Sequence, residues 1–400
     1  MIPLASRGIS SVGRASEWHS EGQGFKSPIL QIERPRHCDG VFCLVPDTSG
    51  ESLLSSRGGG QSKLLPMTEE ITIRRPDDWH VHLRDGDLLE AVAADTARHF
   101  ARALVMPNLT PPVRTGEEAM AYRERILAVT QGLEFDPLMT IKLLPETSPE
   151  WVAGAKEAGV VAGKLYPQGV TTNSEDGWSE IEALDGAFAA MEEAGLVLCL
   201  HGEAPDAFCL DRELRFVEDT LPSIAERFPK LRIVLEHVST KAGVAAVREL
   251  SNVAGTITAH HLILTLDDVI GGGLQPHNFC KPIAKRPQDR DSLIAAALDS
   301  DSFFLGTDSA PHLRANKECP SGCAGVYTAP VALGLVAEVF EAHGALERLE
   351  AFTSERGARF YDLPLNEGQV TLRRGEWEVP ADYAGVVSMR AGQTLAWQVR

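Results

Sequence analysis

The segment "ITIRRPDDWHVHL" (residues 71–83) begins as a β-branched apolar run and ends close to two histidines. Seven further short apolar runs follow it, and most of them are separated by segments with the apolar spacing of a helix. Their hydrophobicity is continuous rather than alternating, which is typical of strands buried on both faces of a parallel sheet. The seven runs are "RALVMP" (102–107), "LMTIKLL" (138–144), "GVVAGKLYP" (159–167), "GLVLCLHGE" (195–203), "LRIVLEHVS" (231–239), "GTITAHHLI" (255–263) and "SFFLGTDSA" (302–310).

Eight strand–helix repeats within about 240 residues match the size of a (β/α)8 barrel. A doubly wound open sheet is the alternative, but no glycine-rich phosphate-binding loop opens the first predicted helix. The segment "GQVTLRRGEWEVPADY" (368–383) predicts short strands or loops that close the domain. The sequence therefore predicts an α/β protein, a (β/α)8 TIM barrel with a short C-terminal closing segment.

Polar side chains stand at the ends of six of these eight runs. A single histidine at a strand end is usually part of the hydrogen-bonded structure. Six polar strand ends together indicate an active site, because barrel active sites are assembled at the C-terminal ends of the strands. The candidate residues are His80, His82, Asn108, Lys164, His201, His237 and Asp308.

His80 and His82 alternate along a strand, so both imidazoles share a face and can bind one ion. Together with His201, His237 and Asp308 they form a nitrogen-rich ligand set that suits zinc. Five such ligands exceed the three that proteins supply to a mononuclear catalytic zinc, so two ions about 3.5–4 Å apart use them better. The buried Lys164 is either an ordinary salt-bridged lysine or, if carbamylated, an anionic bridge; the residues alone leave this open.

The overall charge and the cysteines limit the possible partners. With 38 basic and 56 acidic residues the net charge is −18, which argues against broad electrostatic binding of nucleic acid. The sequence contains no run of about eighteen apolar residues, so it predicts no membrane-spanning helix. Seven scattered cysteines form no disulfide framework and suit a reducing cytoplasm. We therefore expect small molecules, metal ions or further copies of the chain as partners.

Residues 1–66 differ from the rest of the chain. They are rich in serine, glycine and arginine, lack a sustained period, and carry seven basic and six acidic residues. No apolar core of a secretory signal is present. Well-patterned sequence begins at Met67, so we expect residues 1–66 to be a disordered or mis-assigned extension, and residues 67–400 to be one metal-dependent barrel domain.

Six ordered motifs carry a resemblance to a known family: "DDWHVHLRDG" (77–86), "VMPNLTPP" (105–112), "GKLYPQGVTTNS" (163–174), "CLHGE" (199–203), "LEHVST" (235–240) and "GTDSAPH" (306–312). Together they resemble the dihydroorotases, specifically the type II, single-function bacterial class of the amidohydrolase superfamily. The resemblance implies a cytoplasmic, homodimeric enzyme of pyrimidine biosynthesis. Its reaction would be the reversible cyclisation of N-carbamoyl-L-aspartate to L-dihydroorotate, performed by two zinc ions with a bridging hydroxide.

The resemblance also implies a role for each matching residue. It places His80, His82 and Asp308 on the first zinc, His201 and His237 on the second, and a carbamate of Lys164 between them; Asp308 would also move the proton. It assigns substrate contacts to Arg84, Asn108, Thr171, Thr172, Lys281, His312 and Ala324. Arg84 and Asn108 would hold the substrate carboxylate, and Thr171 and Thr172 belong to a mobile loop. Lys281 stands where the family usually has an apolar residue, so only its main chain is expected to matter.

Two alternatives stay open at this stage. One is another cyclic amidase with the same metal centre, similar to a hydantoinase or an allantoinase; Arg84 with Asn108 argues instead for a carboxylated substrate. The other is a catalytically dead homologue that serves in assembly, which would have lost ligands that this sequence keeps. His260 and His261 fit no ligand position, and we expect a structural or supporting role for them.

Overall fold

The computed structural model describes residues 69–400 of the chain, so the predicted extension, residues 1–66, lies outside the described part. After a first strand, β1 (Glu70–Arg74), eight strands pair in parallel and in chain order. They are β2 (Asp77–Val81), β3 (Arg102–Val105), β4 (Asp136–Leu143), β5 (Ala162–Leu165), β6 (Val197–His201), β7 (Ile233–Glu236), β8 (Val253–Ile257) and β9 (Phe303–Leu305). This order, with helices in the connections, confirms the predicted (β/α)8 barrel.

Helices occupy most of the connections between these strands. The second one shows why they form: Thr115 and Glu118 make a capping box at its start, and Ala119, Tyr122 and Ile126 lie on one buried stripe. The helices are α1 (Gly86–His99), α2 (Gly116–Val129), α3 (Pro149–Glu157), α4 (Asp185–Ala194), α5 (Arg212–Arg215), α6 (Leu221–Arg227), α7 (Lys241–Glu249), α8 (Asp267–Ile270), α9 (Pro287–Asp299), α10 (Arg314–Lys317), α11 (Ala332–Ala342) and α12 (Arg356–Phe360). Within residues 69–400, none of them has the length and apolar character needed to cross a bilayer.

Side-chain alternation directs polar strand residues into the barrel. In β6, Val197 and Cys199 belong to a buried apolar cluster that also contains Ala162 of β5. His201 lies on the same face of β6 as Val197 and Cys199, and Lys164 lies on the same face of β5 as Ala162. Both polar side chains are buried. The polar layer therefore sits directly above an apolar layer that fills the barrel.

The barrel closes through residues that follow β9. Val81 and Ser309 form a parallel bridge. The Asp308 amide donates to the carbonyl oxygen of His80 at 2.8 Å, and the His82 amide donates to that of Ser309 at 3.1 Å. These main-chain bonds hold the "HVH" segment beside Asp308, so the closing seam of the barrel also brings three predicted metal ligands together.

The structure corrects one sequence prediction about strands. The first run, residues 71–83, was expected to form a single strand, but it contains both β1 and β2. Pro76 lies between them, and proline has no N–H group to donate to a strand ladder. Strand β1 instead pairs antiparallel with β10 (Gln369–Glu378), which pairs with β11 (Thr394–Val399). The C-terminal closing segment is thus a three-stranded sheet that includes the start of the described chain.

Candidate metal centre and active site

Three predicted ligands form a compact buried group at the closing seam. Asp308 Oδ1 lies 3.1 Å from His82 Nε2 and 3.4 Å from His80 Nε2. One ligand atom from each residue falls within 4.8 Å of the other two. Asp308 has a φ of 44°, in the left-handed region that non-glycine residues rarely adopt, and such strained residues concentrate at functional sites. The geometry allows these three side chains to bind one metal ion.

The other predicted ligands lie beside this group. The ring centroids of His201 and His237 are 4.6 Å apart, and those of His80 and His237 are 5.2 Å apart. Lys164 is fully buried, and its Nζ has no hydrogen-bond partner within residues 69–400; the same holds for Nδ1 of His237. Buried polar atoms without a partner are rare in proteins. These two atoms are therefore free to serve a bound group.

The protonation states favour metal binding. Burial lowers the pKa of His82 to about 4, although the hydrogen bond to Asp308 opposes this shift. Burial also holds the pKa of His237 well below its usual value, and nearby positive charges add to the effect. Neutral imidazoles are the form that binds metals. For Asp308, burial alone would raise the pKa, but the hydrogen bond from His82 and the charge of His80 bring it below its ordinary value.

The environment of Lys164 fits the predicted modification. Burial lowers the pKa of Lys164, which favours the neutral amine over the ammonium ion. A neutral amine is the form that can react with carbon dioxide to give a carbamate. With that carboxylate added to four imidazoles and Asp308, the donor set fits two zinc ions.

Two glutamates that the sequence analysis did not single out support the histidines. Glu236 Oε2 accepts a hydrogen bond from His80 Nδ1 at 2.8 Å and another from the Thr256 hydroxyl at 2.6 Å. Glu203 Oε2 accepts one from His201 Nε2 at 2.7 Å. Such carboxylates fix the tautomer of a metal-binding histidine and leave its other nitrogen for the ion. A carboxylate within two residues of a strand-end histidine, as in "LEH" and "HGE", was the available sequence signal.

Asn108 lines the cavity and also makes two hydrogen bonds that the sequence analysis did not predict. Its Oδ1 accepts a hydrogen bond from His82 Nδ1 at 2.8 Å, and its Nδ2 donates to the Thr172 carbonyl at 3.3 Å. Asn108 therefore orients a candidate ligand and joins it to the loop after β5. The predicted contact with a substrate carboxylate stays a prediction.

Arg84 and His312 form the candidate anion-binding side of the cavity. Arg84 Nη2 lies 3.1 Å from His312 Nε2, and that nitrogen lies 3.0 Å from the Ala324 carbonyl oxygen. Burial, followed by the charge of Arg84, lowers the pKa of His312 to about 3, so its imidazole is neutral. Within the described residues, Arg84 forms no salt bridge with a carboxylate. A guanidinium without such a partner, lining a cavity, suits an anionic substrate.

The loop after β5 lies over the same cavity and is held from two sides. Lys142 Nζ donates to the Asn173 carbonyl at 2.8 Å. From the segment after β8, Lys281 Nζ donates to the Val170 carbonyl at 2.5 Å. This second contact gives the side chain of Lys281 a role that the sequence did not predict, while the expected main-chain contact of Lys281 with substrate stays a prediction. Thr171, next to Val170, lines the cavity.

One cavity brings together nearly all of the predicted site residues. Lys164 and His312 are not part of its lining, but His312 contacts Arg84 and Ala324, which are. The lining includes His80, His82, Arg84, Asn108, Thr171, Thr172, His201, His237, Lys281, Asp308 and Ala324. Tyr166, which the sequence analysis did not single out, also lines the cavity, and its ring lies 5.0 Å from Lys164 Nζ.

His260 and His261 lie outside this lining, in a second buried group with Cys280. His261 Nε2 lies 2.9 Å from the Pro282 carbonyl, which the Cys280 thiol also approaches at 3.2 Å. His261 and Cys280 thus have protein partners, whereas neither ring nitrogen of the buried His260 has one within residues 69–400, so a structural or supporting role for the two histidines stays a prediction.

The chain is similar to known proteins over most of its length. The amidohydrolase family profile matches residues 77–372. A dihydroorotase of Cupriavidus pinatubonensis is 50% identical over 344 residues, which are 84% of this chain and 100% of that protein. The solved dihydroorotase of Campylobacter jejuni is 40% identical with a TM-score of 0.79, covering 84% of this chain and 99% of that one. The Saccharomyces cerevisiae dihydroorotase, solved in complex with 5-fluoroorotic acid, is 34% identical with a TM-score of 0.79, covering 83% and 99%.

Proposed function

Since the chain belongs to the amidohydrolase family and, within it, to the dihydroorotases, we propose that it interconverts N-carbamoyl-L-aspartate and L-dihydroorotate plus water. The observation that carries this proposal is the single cavity that combines the histidine–aspartate group with Arg84. The histidine–aspartate group could hold the ions that cyclic amide hydrolysis uses, and Arg84 could hold the carboxylate that both compounds carry. The reaction belongs to de novo pyrimidine biosynthesis.

For the metal centre, we propose two zinc ions. His80, His82 and Asp308 would hold one ion, His201 and His237 the other, and a carbamate on Lys164 would bridge them. When bound, such ions supply hydroxide at neutral pH and polarise a carbonyl group. The partnerless atoms of Lys164 and His237 support this assignment, as do the carboxylates behind His80 and His201.

Asp308 is the proposed acid and base. In ring opening its ionised carboxylate takes the proton of the attacking water and delivers it to the amide nitrogen that leaves the carbonyl carbon. In ring closure the same group starts protonated. The low pKa of Asp308 supports the ionised form as the resting state. Because the two directions need opposite protonation states of Asp308, ring opening should gain rate as pH rises through the pKa of this group, and ring closure as pH falls through it.

The remaining polar groups of the cavity would bind and orient the substrate. Arg84 would hold the carboxylate with charge-assisted hydrogen bonds, with the neutral His312 beside it. Thr171 and Thr172 would contribute from the loop after β5. The main chains at Lys281 and Ala324 would contact the ring, and Asn108 would keep His82 and the loop in place.

A substrate panel with the purified, zinc-loaded full chain tests this function. We expect turnover of L-dihydroorotate and N-carbamoyl-L-aspartate in both directions, and little or none of hydantoin or allantoin. Preference for hydantoin would show that the chain is a different cyclic amidase. Two bound metal ions per chain without turnover of any of the four compounds would point to the non-catalytic alternative.

We also propose that the chain forms a homodimer in the cytoplasm, as its resemblance implies. The five cysteines in the described part of the chain are free, which agrees with a reducing compartment. Sedimentation equilibrium of the full chain distinguishes a dimer from a monomer.

A further inference from the structure

Part of the cavity wall offers a substrate mainly main-chain groups. Ala324 and Gly325 line the cavity, as does Lys281, whose side chain is directed to the loop after β5. Within residues 69–400, the N–H groups of Lys281 and Ala324 have no hydrogen-bond partner, whereas the Gly325 N–H donates to the Phe279 carbonyl at 2.8 Å. Two unpaired main-chain donors in a cavity wall can serve a bound molecule only if the main chain is held in a fixed position.

A single buried ammonium group holds both segments of this wall. Lys317, at the end of α10, donates from Nζ to the carbonyls of Phe279 at 3.0 Å, Cys323 at 2.9 Å and Gly325 at 2.6 Å. An ammonium group has three donors, so all of them are used. Phe279 lies two residues before Lys281, and Cys323 and Gly325 flank Ala324. The three bonds thus join two segments that are more than forty residues apart in sequence.

The charge of Lys317 is unusual for a purely structural contact. Its side chain is only 4% exposed, and it forms no salt bridge within the described residues. Removing an ammonium group from water without an anionic partner is costly, and buried charges in proteins are usually paired. Here the charge remains unpaired beside a cavity whose proposed ligands are anions. The cost of burying the Lys317 ammonium group is explained if the ordered cavity wall and the positive potential beside it serve substrate binding.

We infer that Lys317 is a positioning residue for substrate recognition, holding the main chain at Lys281 and Ala324 where it can pair with the ring of the substrate. This inference rests on the proposed function. L-Dihydroorotate carries its carboxylate at one end and alternating N–H and C=O groups along its ring. Arg84 can bind the carboxylate, whereas the ring carbonyls need N–H donors, and the free amides of Lys281 and Ala324 are donors of that kind.

The test compares the zinc-loaded full chain with its Lys317→Met variant, which keeps the length of the side chain and removes the donors and the charge. We expect the KM for L-dihydroorotate to rise at least tenfold, kcat to change less than threefold, and the metal content to stay the same. Lys285→Met is the matched control. Lys285 is also a buried lysine, bonded to Ser239 Oγ at 2.7 Å and to the Ile283 carbonyl at 3.3 Å, but it does not line the cavity. Its loss should leave KM unchanged.

A structural role alone would lower the thermal midpoint and the amount of active enzyme while KM stayed at the wild-type value, and that result overturns the inference. If Lys317→Met does not fold, Lys317→Arg provides the decision. Arginine keeps the charge, but no single nitrogen of its planar guanidinium can donate hydrogen bonds to all three carbonyls, so KM should still rise. An unchanged KM in folded Lys317→Arg also overturns the inference. A wild-type chain without activity on L-dihydroorotate refutes the proposed function itself.

Discussion

The carboxylate of Glu236 offers a sharp test of the candidate metal centre, because it touches a predicted ligand without being one. It is buried, with 1% of its surface exposed, and accepts hydrogen bonds from His80 Nδ1 and the Thr256 hydroxyl. Burial alone would raise the pKa of Glu236, but the charge and hydrogen bond of His80 hold it below its ordinary value. Glu236→Gln keeps the size and one acceptor oxygen, and removes the charge.

The expected magnitude follows from these contacts. A hydrogen bond to a charged group is worth about 1.5–3 kcal/mol and a neutral one about 0.5–1.5 kcal/mol, so the substitution should cost about 1–1.5 kcal/mol. Since about 1.4 kcal/mol corresponds to a factor of ten, zinc affinity at His80 should fall roughly tenfold. This is the lower end of the effect, about 10–100-fold, that partners of metal ligands usually have. Glu236→Ala should cost more, because it leaves the His80 N–H and the Thr256 hydroxyl unpaired.

Zinc retention measured against a graded series of chelator concentrations provides the assay, with ions counted by mass spectrometry after equilibration. Glu203→Gln is the matched variant, because the same kind of bond links Glu203 to His201 at 2.7 Å. We expect each variant to lose one of two ions at lower chelator strength than wild type, and to keep the other. Glu226→Gln, at an exposed position, controls for loss of a negative charge.

Equal chelator midpoints for Glu236→Gln and Glu226→Gln would show that the Glu236 carboxylate does not strengthen zinc binding at His80. In that case His80 would be oriented by the main chain of the closing seam alone. A loss of both ions together with the folded structure would instead show that Glu236 supports the barrel rather than the ligand.

Four further predictions concern the same cavity. Lys164→Ala should lose at least one ion and nearly all activity, with partial rescue by short carboxylic acids that replace the bridge; two retained ions and a near-normal rate would contradict the carbamate. Asp308→Asn should slow both reaction directions by a similar large factor while much of the metal stays bound, and normal rates would move the proton transfer to another group. Lys281→Met should speed hydrogen exchange at Val170 and neighbouring loop amides and raise KM, since the 2.5 Å hydrogen bond from Lys281 Nζ to the Val170 carbonyl is lost. Exchange equal to wild type would argue against this contact. Burial lowers the pKa of Lys317 to about 8, so the wild-type KM should rise above pH 8 towards that of Lys317→Met, whose KM should not follow this titration. The folded pKa lies below the unfolded value near 10.4, so deprotonation favours the folded state in this range and unfolding cannot explain the rise.

The strand pattern of the barrel could be predicted because its physical cause is local. A strand buried on both faces must be apolar along its length, and eight such runs separated by helical segments leave few architectures. The division of residues 71–83 into two strands was missed, because strand β1 pairs with β10, about 300 residues later, and no local pattern encodes that partner. Pro76 was the available signal, since proline within an apolar run argues against one continuous strand.

The candidate ligands could be predicted as a set because each stands at a strand end, and the barrel topology brings strand ends together. Their supporting residues follow no such rule. Glu236 and Glu203 sit beside histidines in sequence, but which histidine each one contacts depends on the barrel: Glu236 binds His80, more than 150 residues away, and not its neighbour. The motif of Asn108 predicts a substrate contact, which stays a prediction, but it gave no sign of the hydrogen bond that the amide oxygen accepts from His82.

The closing seam explains why the ligands converge where they do. Most strands of the barrel meet neighbours through regular ladders, but β9 is only three residues long, and closure is completed by the residues after it. The buried carboxylate of Asp78 accepts hydrogen bonds from the Thr307 amide at 2.8 Å and its hydroxyl at 2.6 Å. These bonds fix the chain one residue before Asp308, whose own amide donates to the carbonyl of His80. The left-handed backbone of Asp308 then turns its carboxylate toward the imidazoles of His80 and His82. Closure of the barrel and assembly of the first candidate ion site therefore depend on the same few hydrogen bonds.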